Sequence, residues 1–459
     1  MNEHVDVLVI GWGKGGKTLA AAMAKSGQRV AMVEQSDQMY GGTCINIGCV
    51  PTKALVHDAD TRRDSDDPET WFQNAVSRRD TLTGAMRRKN FSMLDSLDAA
   101  LAITGRARFT GPREVEVAAG ADRMRITADT VVLNTGAVPA SPQLDGSRVE
   151  TGKGRVHDST SLQHAGELPG HLAVVGGGYV GLEFASMFAH FGSEVTVLDH
   201  GDRPLRREDR DVADVAVRAL EQDGVRFVTA ASVTGIEDSD QAAVVSYTQG
   251  GGAHTVEADA VLVALGRRPA TEGLNLDAAG IRVDDGGYVA VDEQLRTSAE
   301  GVFAVGDVKG GPQFTYISLD DHRIVTDQLL GQGQRSTADR TAVPYTIFLT
   351  PPLARVGLTE EQARSAGYDV LVAGKEVPDI AAMPRPKIVG EARGIVKVVV
   401  DAATDQVLGA ALMHVDSQEV INLLAMAMRH GITASELRDA VYTHPSSTEA
   451  LNEVLGSLS

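Results

Sequence analysis

Two glycine-rich turns constrain this chain more than any other feature of its sequence. In each turn an apolar strand runs into the pattern G-x-G-x-x-G and then into a helix. The glycines of the two patterns are Gly11, Gly13 and Gly16, then Gly176, Gly178 and Gly181. Such turns let a pyrophosphate reach the amino end of a helix. Because about 165 residues separate the two turns, they predict two dinucleotide sites in separate domains.

The first turn has the flanking elements that a nucleotide site needs. The sequence predicts a strand over residues 5–10, a helix over 17–25 and a second strand over 29–34. Glu34 ends the second strand 18 residues after Gly16, close to the spacing of an acid that binds a ribose hydroxyl. Glycine-rich turns also occur without ligands, but strand, helix, strand and acid together favour a nucleotide site.

The second turn repeats this arrangement, with strands predicted over 172–175 and 194–199 and a helix over 183–191. Asp199 lies 18 residues after Gly181. An acid there favours NADH, because it accepts a hydrogen bond from the 2'-hydroxyl and repels a 2'-phosphate. Four basic side chains act in the opposite direction, towards NADPH: His200, Arg203, Arg206 and Arg207. On balance NADH is the favoured nucleotide.

Both cysteines of the chain lie in one stretch. Four residues separate Cys44 from Cys49, and a six-residue loop containing Gly48 can bring the two sulfurs together. A disulfide that closes so short a loop stabilises a fold little, which favours a redox role. Pro51 predicts a helix start that puts Cys49 at its positive end. Two buried cysteines, half of a zinc site and a structural disulfide are the competing interpretations.

Composition limits the partners and the compartment. The formal net charge of −19 on 459 residues opposes binding to nucleic acid or to an anionic membrane. The N-terminus runs directly into an apolar strand, which disfavours a signal peptide, and no apolar run approaches membrane-spanning length. Two cysteines in a single motif fit a reducing compartment, so we expect a cytoplasmic protein.

Two nucleotide units flanking Gly-Gly-Thr-Cys-x4-Cys-Val-Pro-Thr-Lys resemble the class I pyridine nucleotide-disulfide oxidoreductases, over essentially the whole chain. The resemblance implies an α/β fold with two Rossmann-like dinucleotide-binding domains, one for FAD and one for NAD(P), and a C-terminal α/β dimerisation domain. The implied boundaries are 1–148 for the FAD domain with the redox disulfide, 149–271 for the NAD(P) domain, 272–340 for a central segment completing the FAD domain, and 341–459 for dimerisation.

The same resemblance implies a role for individual residues. Cys44 resembles the interchange thiol that meets substrate, and Cys49 the flavin-proximal, charge-transfer thiol. Lys53 and Glu183 resemble an ion pair near the flavin, and Tyr179 the residue that gates the nicotinamide pocket. The implied FAD contacts are Gly11, Gly13, Gly16, Glu34, Gly42, Thr43, Thr135, Gly136 and Asp307. The implied NAD(P) contacts are Gly176, Gly178, Tyr179, Gly181, Asp199 and Gly266.

The C-terminal part is predicted to contain alternating strands near 388–400 and 407–413 and helices over 417–430 and 434–440. His444 and Glu449 follow; alone, such a pair is more often a pair of surface residues than a dyad. In the family's His-Pro-x3-Glu motif, the histidine is the acid/base for the interchange thiol and the glutamate orients it. Because that histidine reaches the disulfide of the other subunit, the resemblance implies an obligate homodimer.

Within the family, three segments resemble the bacterial reactive-chlorine-resistance flavoprotein reductases: residues 39–49, 313–321 and 350–357. The implied function is to pass electrons from NAD(P)H through FAD and the Cys44–Cys49 disulfide to a small oxidant, in oxidative-stress defence. Hypothiocyanous acid or a related chlorine-derived species is the favoured oxidant, and Cu(II) is the second candidate. A dihydrolipoamide dehydrogenase-like enzyme is one alternative, although Tyr442 stands where that type carries a histidine. A mercuric reductase-like or copper-binding metal-handling flavoprotein is the other, although no resident metal site is predicted and the C-terminus lacks a cysteine pair.

Overall fold

The computed structural model describes residues 2–144 and 147–458. In chain order the strands are β1 (Asn2–Ile10), β2 (Val30–Glu34), β3 (Ala100–Thr104), β4 (Arg106–Gly111), β5 (Glu114–Ala119), β6 (Asp122–Leu133), β7 (Ala137–Pro139), β8 (Gln143–Leu144), β9 (Ser147–Arg148), β10 (Val156–His157), β11 (His171–Val175), β12 (Glu194–Leu198), β13 (Val225–Val228), β14 (Ser232–Asp238), β15 (Ala243–Gln249), β16 (Gly252–Ala258), β17 (Ala260–Val263), β18 (Arg267–Pro269), β19 (Val302–Ala304), β20 (Tyr345–Ile347), β21 (Leu353–Gly357), β22 (Val370–Glu376), β23 (Ile395–Asp401) and β24 (Val407–Met413). The helices are α1 (Lys14–Lys25), α2 (Thr43–Asn46), α3 (Cys49–Thr61), α4 (Pro68–Asp95), α5 (Tyr179–Phe191), α6 (Arg210–Gln222), α7 (Thr315–Leu330), α8 (Glu360–Ser365), α9 (Pro384–Val389), α10 (Ser417–His430), α11 (Ala434–Asp439) and α12 (Ala450–Val454).

The chain divides into two units, each built from three separate segments. Unit 1 contains the segment that ends at Leu55, then Gln73–Ala140 and Gly266–Arg340. Unit 2 contains Val56–Phe72, Ser141–Leu265 and the segment that starts at Thr341. The first glycine-rich turn and both cysteines therefore belong to unit 1, and the second turn and the C-terminal elements belong to unit 2.

The main sheet of unit 1 is an open parallel sheet with an antiparallel extension. Its order is β3-β2-β1-β6, with β19 also pairing with β6, and these five strands are parallel. The antiparallel strands β5 and β4 continue from β6. Ile10 and Ala304 both pair with Leu133, so the carboxyl ends of β1, β6 and β19 meet at one edge. In such sheets ligands bind at this edge, where the strand order reverses.

The segment of unit 2 between Ser141 and Leu265 forms a second parallel sheet, in the order β10-β17-β11-β12-β13. A separate antiparallel sheet, β14-β15-β16, packs its Val245 and Tyr247 side chains into a core that contains Val175 and Val261 of the parallel sheet. Strands buried on both faces read as continuous apolar runs, which is why β11 was recognisable from the sequence.

The C-terminal elements of unit 2 form an antiparallel sheet, β20-β21-β24-β23-β22. The prediction of an alternating strand near 388–400 is wrong in two respects. Residues up to Val389 form α9, and β23 begins only at Ile395. All of β23 is buried, because Val396 and Val398 face one hydrophobic core and Val399 faces another. A strand covered on both faces has no polar side to alternate with.

The predicted fold class is confirmed: the chain is α/β, with two Rossmann-like sheets and a C-terminal α/β part. Most predicted elements lie within a few residues of the observed ones, although α1 starts at Lys14, one turn earlier than expected. None of the helices in the described residues is both long and apolar enough to span a bilayer.

Candidate active site

The glycine-rich turn of unit 1 is held by Asn134, which follows β6. The Asn134 Oδ1 atom accepts a hydrogen bond from the Gly16 amide at 2.8 Å, and its Nδ2 donates to the Val305 carbonyl at 2.9 Å. A Cβ atom on Gly13 would lie 2.6 Å from Asn134 Oδ1, so only glycine fits there. Gly11 has a φ of +97°, and a Cβ atom would meet the Asn134 carbonyl oxygen at 2.3 Å. Asn134 therefore joins the ends of β1, β6 and β19.

The same edge of the sheet carries polar groups that lack protein partners. The Thr135 hydroxyl and the Trp12 indole N–H are buried without a hydrogen-bond partner in the described part of the chain. Asp307, in the turn after β19, makes no side-chain hydrogen bond to any described residue, and burial raises the pKa of its carboxyl. Gly136, with a φ of +73°, has open space where a Cβ would stand. Buried polar groups normally have partners, so these groups indicate that a polar ligand binds here.

Glu34, at the end of β2, is buried, with 8% of its surface exposed. Its carboxylate accepts hydrogen bonds from the amides of Trp12, at 3.0 Å, and Gln35, at 2.8 Å. Burial raises the pKa of this carboxyl, and the amide hydrogen bonds act against that rise. The acid thus ties the glycine-rich turn to β2, and the Ser36 backbone also donates to the carboxylate.

The segment that carries the two cysteines is more helical than predicted. The sequence indicated a loop from Cys44 to Cys49, but residues Thr43–Asn46 form the single-turn helix α2. Cys49 is the first residue of α3, as expected for a thiol at the positive end of a helix. Gly42 has a φ of +76°, and a Cβ atom there would lie 2.6 Å from the Gly13 Cα atom. That close approach packs the cysteine segment against the glycine-rich turn.

Both cysteines are present as thiols, and they interact with each other. The Cys44 thiol donates to Cys49, and this hydrogen bond, with burial second, raises the pKa of Cys44 strongly. The Thr315 hydroxyl, at the first residue of α7, lies 3.6 Å from the Cys49 sulfur and also interacts with Cys44. Cys44 therefore holds its proton more tightly than an ordinary thiol does.

A buried cation lies at the start of the cysteine segment. Lys17, on α1, is 4% exposed, and its Nζ atom donates to the Gly41 carbonyl at 3.3 Å and to Asn90 Oδ1 at 2.5 Å. Burial, and then the charge of Lys14, lower the pKa of Lys17 to about 8, whereas Cys44 acts to raise it. Unit 1 thus places an ammonium group close enough to the Cys44 thiol for their charges to interact.

The glycine-rich turn of unit 2 follows β11 and is tied by Asp199. The Asp199 carboxylate, 6% exposed, accepts hydrogen bonds from the amides of Gly177, at 2.8 Å, and Gly201, at 2.7 Å. A Cβ atom on Gly181 would lie 2.0 Å from the Gly176 carbonyl oxygen, and Gly176 itself has a φ of +113°. The turn therefore requires both glycines, in the same way as the turn of unit 1.

The surroundings of Gly178 and Asp199 indicate where a nucleotide would bind and which charges it would meet. Gly178 has open space where a Cβ would stand, at the amino end of α5, where a pyrophosphate would approach. His200 and Arg206 are hydrogen bonded to each other at 2.8 Å, and His200 Nδ1 lies 3.8 Å from the Asp199 carboxylate. The acid and the basic side chains are thus adjacent, as the sequence indicated.

Tyr179, at the start of α5, belongs to a buried polar cluster. Its hydroxyl donates to Glu208 Oε1 at 3.0 Å, and the Tyr345 hydroxyl donates to the same oxygen at 2.6 Å. Arg355 donates to Glu208 Oε2 at 2.9 Å. The two tyrosine rings stack with centroids 5.6 Å apart. Burial, and then the charge of Glu208, raise the pKa of Tyr179 to about 12, so its hydroxyl stays protonated.

The other residues predicted for the site are distributed between the two units. Lys53 lies on α3 in unit 1, whereas Glu183 lies on α5 in unit 2, where its Oε1 accepts from the Phe348 amide at 2.8 Å. Their ion pair stays a prediction. Gly266, expected to contact NAD(P), falls in unit 1, with a φ of +105° and open space at its Cβ position. Thr43 is the first residue of α2.

His444 and Glu449 are brought together in unit 2. His444 Nδ1 lies 2.9 Å from Glu449 Oε1, and Glu449 Oε2 accepts from the Ser446 amide at 2.8 Å. The hydrogen bond from the Ser446 amide, and then the hydrogen bond to His444, lower the pKa of the Glu449 carboxyl. The carboxylate is therefore ionised and fixes the orientation of the His444 ring. The His444 side chain is 71% exposed, which leaves its Nε2 atom accessible.

Comparison with known proteins interprets this geometry. Residues 5–321 match the family model of the pyridine nucleotide-disulphide oxidoreductases, and residues 343–455 match the model of that family's dimerisation domain. Together the two matches cover most of the chain. The chain belongs to the pyridine nucleotide-disulphide oxidoreductases. It is therefore an oxidoreductase, a flavoprotein that binds FAD and NAD(P)H and has a disulfide redox centre, and the dimerisation domain supports a homodimer.

Relatives of this oxidoreductase include proteins of two kinds. It is 46% identical over 454 residues to the probable pyridine nucleotide-disulfide oxidoreductase RclA of Escherichia coli, covering 99% of both chains. It is 35% identical to dihydrolipoyl dehydrogenase of Thermus scotoductus, covering 99% of this chain and 97% of that one. A solved structure, the Cu(II) complex of the HOCl-induced flavoprotein disulfide reductase RclA from E. coli, matches with a TM-score of 0.93 at 45% identity, covering 99% of both chains.

The oxidoreductase site of unit 1 fits the FAD of this family. The Thr135 hydroxyl and the Trp12 indole N–H, which lack hydrogen-bond partners among the described residues, lie with Asp307 and the open space at Gly136 where the carboxyl ends of β1, β6 and β19 meet. Among the described residues, no group of three or more His, Cys, Asp or Glu side chains is placed to hold a metal ion.

Several residues of this oxidoreductase site were missed from the sequence. Asn134, Lys17, Thr315 and Glu208 act through contacts with distant segments, so no local pattern predicted their roles. One signal was present: a lysine among the small apolar residues of a helix that follows a glycine-rich turn is unusual, because that helix face packs on the sheet.

Proposed function

We propose that this enzyme reduces a small oxidant, hypothiocyanous acid or a related chlorine-derived species, with electrons from NAD(P)H, and that it serves in oxidative-stress defence. The observation that carries the proposal is the pair of interacting thiols, Cys44 and Cys49, with the Thr315 hydroxyl beside them. The relative RclA, 45% identical in its solved structure, is described as an HOCl-induced flavoprotein disulfide reductase. A small electrophile suits a chain in which residues 17–25, after the first glycine-rich turn, contain no arginine to bind the carboxylate of a peptide.

When bound, FAD would supply the two-electron chemistry that links NAD(P)H to the Cys44–Cys49 disulfide. The residues that would hold it are the glycines and polar groups at the strand ends of unit 1: Gly11, Gly13, Gly16, Glu34, Gly42, Thr43, Thr135, Gly136 and Asp307. Glu34 would accept from a ribose hydroxyl and Asp307 from the ribityl chain. Lys53 and Glu183 would form the ion pair near the flavin.

The nicotinamide nucleotide would bind at Gly176, Gly178, Gly181 and Gly266, with Asp199 on the adenosine ribose. We favour NADH, because a buried carboxylate opposes a 2'-phosphate, although His200 and Arg206 lie beside it. Tyr179 would gate the nicotinamide pocket, and its hydrogen bond to Glu208 holds the ring in place until the nucleotide displaces it.

The thiols carry out the reduction of the oxidant. Cys44 holds its proton tightly, because it donates a hydrogen bond to Cys49. His444, supplied by the second copy of the chain in the homodimer, takes that proton while Glu449 orients the ring. The Cys44 thiolate attacks the oxidant, and Cys49 then attacks the Cys44 sulfur to restore the disulfide. In sum, the dithiol and one hypothiocyanous acid give the disulfide, thiocyanate, water and a proton.

The test is anaerobic stopped-flow mixing of the purified, FAD-loaded protein. The enzyme is reduced with NADH or NADPH and then mixed with hypothiocyanous acid, Cu(II), oxidised glutathione or lipoamide in turn. We expect hypothiocyanous acid to reoxidise it fastest, and NADH to be the better reductant. Cys44→Ser should abolish this reaction while FAD stays bound, and Cys49→Ser should allow at most one turnover. Unchanged turnover in Cys44→Ser would refute the proposal.

Two alternatives have specific support. A dihydrolipoyl dehydrogenase-type activity is supported by the 35% identity to the Thermus enzyme and predicts lipoamide-dependent interconversion of NAD and NADH. Copper reduction is supported by the Cu(II) complex of RclA and predicts fast reoxidation by cupric ion. We further propose a cytoplasmic location, because both cysteines belong to one redox motif and a reducing compartment keeps it active.

A further inference from the structure

Lys17 is fixed at the start of the cysteine segment. Its ammonium group is held between the Gly41 carbonyl, at 3.3 Å, and Asn90 of α4, at 2.5 Å. Gly41 lies three residues before Cys44, and α2, which carries Cys44, begins two residues after Gly41. The ammonium is therefore anchored beside the backbone that positions the interchange thiol, and only 4% of the side chain is exposed to water.

No carboxylate in the described part of the chain pairs with Lys17. Other buried cations have such partners: Arg79 pairs with Asp80, and Arg355 pairs with Glu208. Burying an ammonium without an opposite charge is unfavourable, because two neutral oxygens replace its hydration only in part. A cation placed in this way is explained if a negative charge forms nearby during the reaction.

Cys44 is the group that acquires such a charge. In the reduced pair the Cys44 thiol donates a hydrogen bond to Cys49, so Cys44 must lose its proton before it can attack. The charge then forms on a partly buried sulfur that has Cys49 on one side. A fixed positive charge within interaction distance lowers the cost of forming this thiolate.

We propose that Lys17 is a positioning residue whose charge stabilises the Cys44 thiolate at the moment of attack. This inference rests on the proposed function of Cys44 as the interchange thiol. Lys17 makes no hydrogen bond to the Cys44 sulfur, so it acts through the electrostatic field. The titratable groups that bear on it are Lys14 on its own helix, and Cys44 with its neighbour Cys49 on α2 and α3; Asn90 on α4 is neutral.

The test measures the reactivity of Cys44 directly. In the full-length, FAD-loaded Cys49→Ser protein, Cys44 is the remaining cysteine, and its alkylation rate by iodoacetamide is followed from pH 5 to pH 10. Adding Lys17→Gln, which keeps an N–H donor but removes the charge, should slow alkylation at pH 7 about tenfold, corresponding to about one pKa unit. Lys17→Arg keeps the charge and should restore most of the rate. Lys14→Gln is the matched control, because it removes the same charge one turn earlier; we expect a change of less than about twofold.

Several outcomes would overturn the assignment. One is a Lys17→Gln profile that superimposes on that of the Cys49→Ser parent. Another is an equal effect of Lys14→Gln, which would indicate loss of general positive charge. A third is an equal effect of Asn90→Ala, which loosens the tether of Lys17 without removing its charge. The role of Cys44 itself is tested separately, since Cys44→Ser retaining oxidant turnover would refute the proposed function while leaving an alkylation shift unaffected.

Discussion

Lys17 in unit 1 and Lys397 in unit 2 are both buried, yet their surroundings are opposite. Lys397 Nζ lies 2.9 Å from Asp211 and from Glu360 and 3.8 Å from Asp209. Burial acts to lower the pKa of Lys397, but its hydrogen bonds to Asp211 and Glu360 outweigh this effect and the pKa is raised. Lys17 has neutral oxygens as partners, and its pKa falls to about 8.

The difference distinguishes a charge that stabilises structure from a charge that is available to chemistry. The charge of Lys397 is neutralised by its three carboxylate partners, so it has little effect on other groups. Lys17 is not neutralised, so its field extends to the thiol. Perturbed pKa values concentrate at functional sites for this reason, but only the partners of a group show which kind of site it is.

The largest effect on this comparison is expected from Lys397→Met. Removing the cation leaves the three carboxylates without their shared partner, and we expect a loss of about 3 kcal/mol in the free energy of unfolding. Urea denaturation followed by circular dichroism measures this loss, while oxidant turnover by the folded enzyme should be unchanged. The control is Lys375→Met, whose partner Glu453 lies in a more exposed pair and should contribute less than about 1 kcal/mol. Equal losses in the two variants would contradict the distinction.

Glu449→Gln tests a charge that serves orientation. The amide keeps a similar shape and one acceptor oxygen but removes the carboxylate that fixes the His444 ring. We expect oxidant turnover to fall about tenfold, because proton transfer depends on that orientation. Melting temperature should change little, since both residues lie near the surface. A variant with full turnover would mean that the ring needs no such partner.

Thr315→Val tests whether a neutral hydroxyl, as well as the charge of Lys17, affects the ionisation of the cysteine pair. The substitution removes the hydroxyl that lies 3.6 Å from the Cys49 sulfur and changes the side-chain shape little. The midpoint pH for forming the Cys49 thiolate should rise, with about a threefold loss of thiolate at neutral pH in a Cys44→Ser background, followed by absorbance at 240 nm. Thr326→Val is the control on the same helix, because its hydroxyl is buried without a partner. A shift in the control alone would contradict this interpretation.

The smallest expected effect is a change in stability at His190, a buried residue whose charge is paired with carboxylates, like that of Lys397, but is lost as pH rises. Burial lowers its pKa, but hydrogen bonds to Asp223 and Asp60 outweigh burial and raise the pKa to about 9. Because the folded pKa exceeds the unfolded value, the stabilisation is present below about pH 6.5 and is lost as pH rises through about 9. Relative to the parent, His190→Gln should lower the melting temperature by about 2–4 °C at pH 6 and by less at pH 9.5. A constant difference across this range would refute the assignment.

The sequence predicted those parts of the molecule that depend on local order. Strand β11 and both glycine-rich turns were recognisable, because a buried strand is continuously apolar and the turn needs glycine at fixed intervals. The approach of His444 to Glu449 was implied by the resemblance to the family's His-Pro-x3-Glu motif, whereas the spacing alone favoured two unrelated surface residues.

Contacts between distant segments were not predictable in this way. Lys17 contacts Asn90 across 73 residues, and Cys49 contacts Thr315 across 266. The loop expected between the cysteines was wrong, because residues 43–46 wind into α2 once Gly42 packs against the glycine-rich turn. Such contacts depend on how the sheet gathers the chain, and one sequence carries no periodic signal for that.

The bridging role of Asn134 has a consequence for how the protein is made. Its side chain links Gly16 to Val305, and β19 completes the sheet edge only when residues 302–304 are available. On the ribosome, the Asn134 bridge and the pairing of β6 with β19 can therefore form only after Ser141–Leu265 is synthesised, and that segment contains all strands of the second parallel sheet. All strands of the second parallel sheet are thus present in the nascent chain before the sheet of unit 1 can be completed, although the first strand of unit 1 is synthesised earlier.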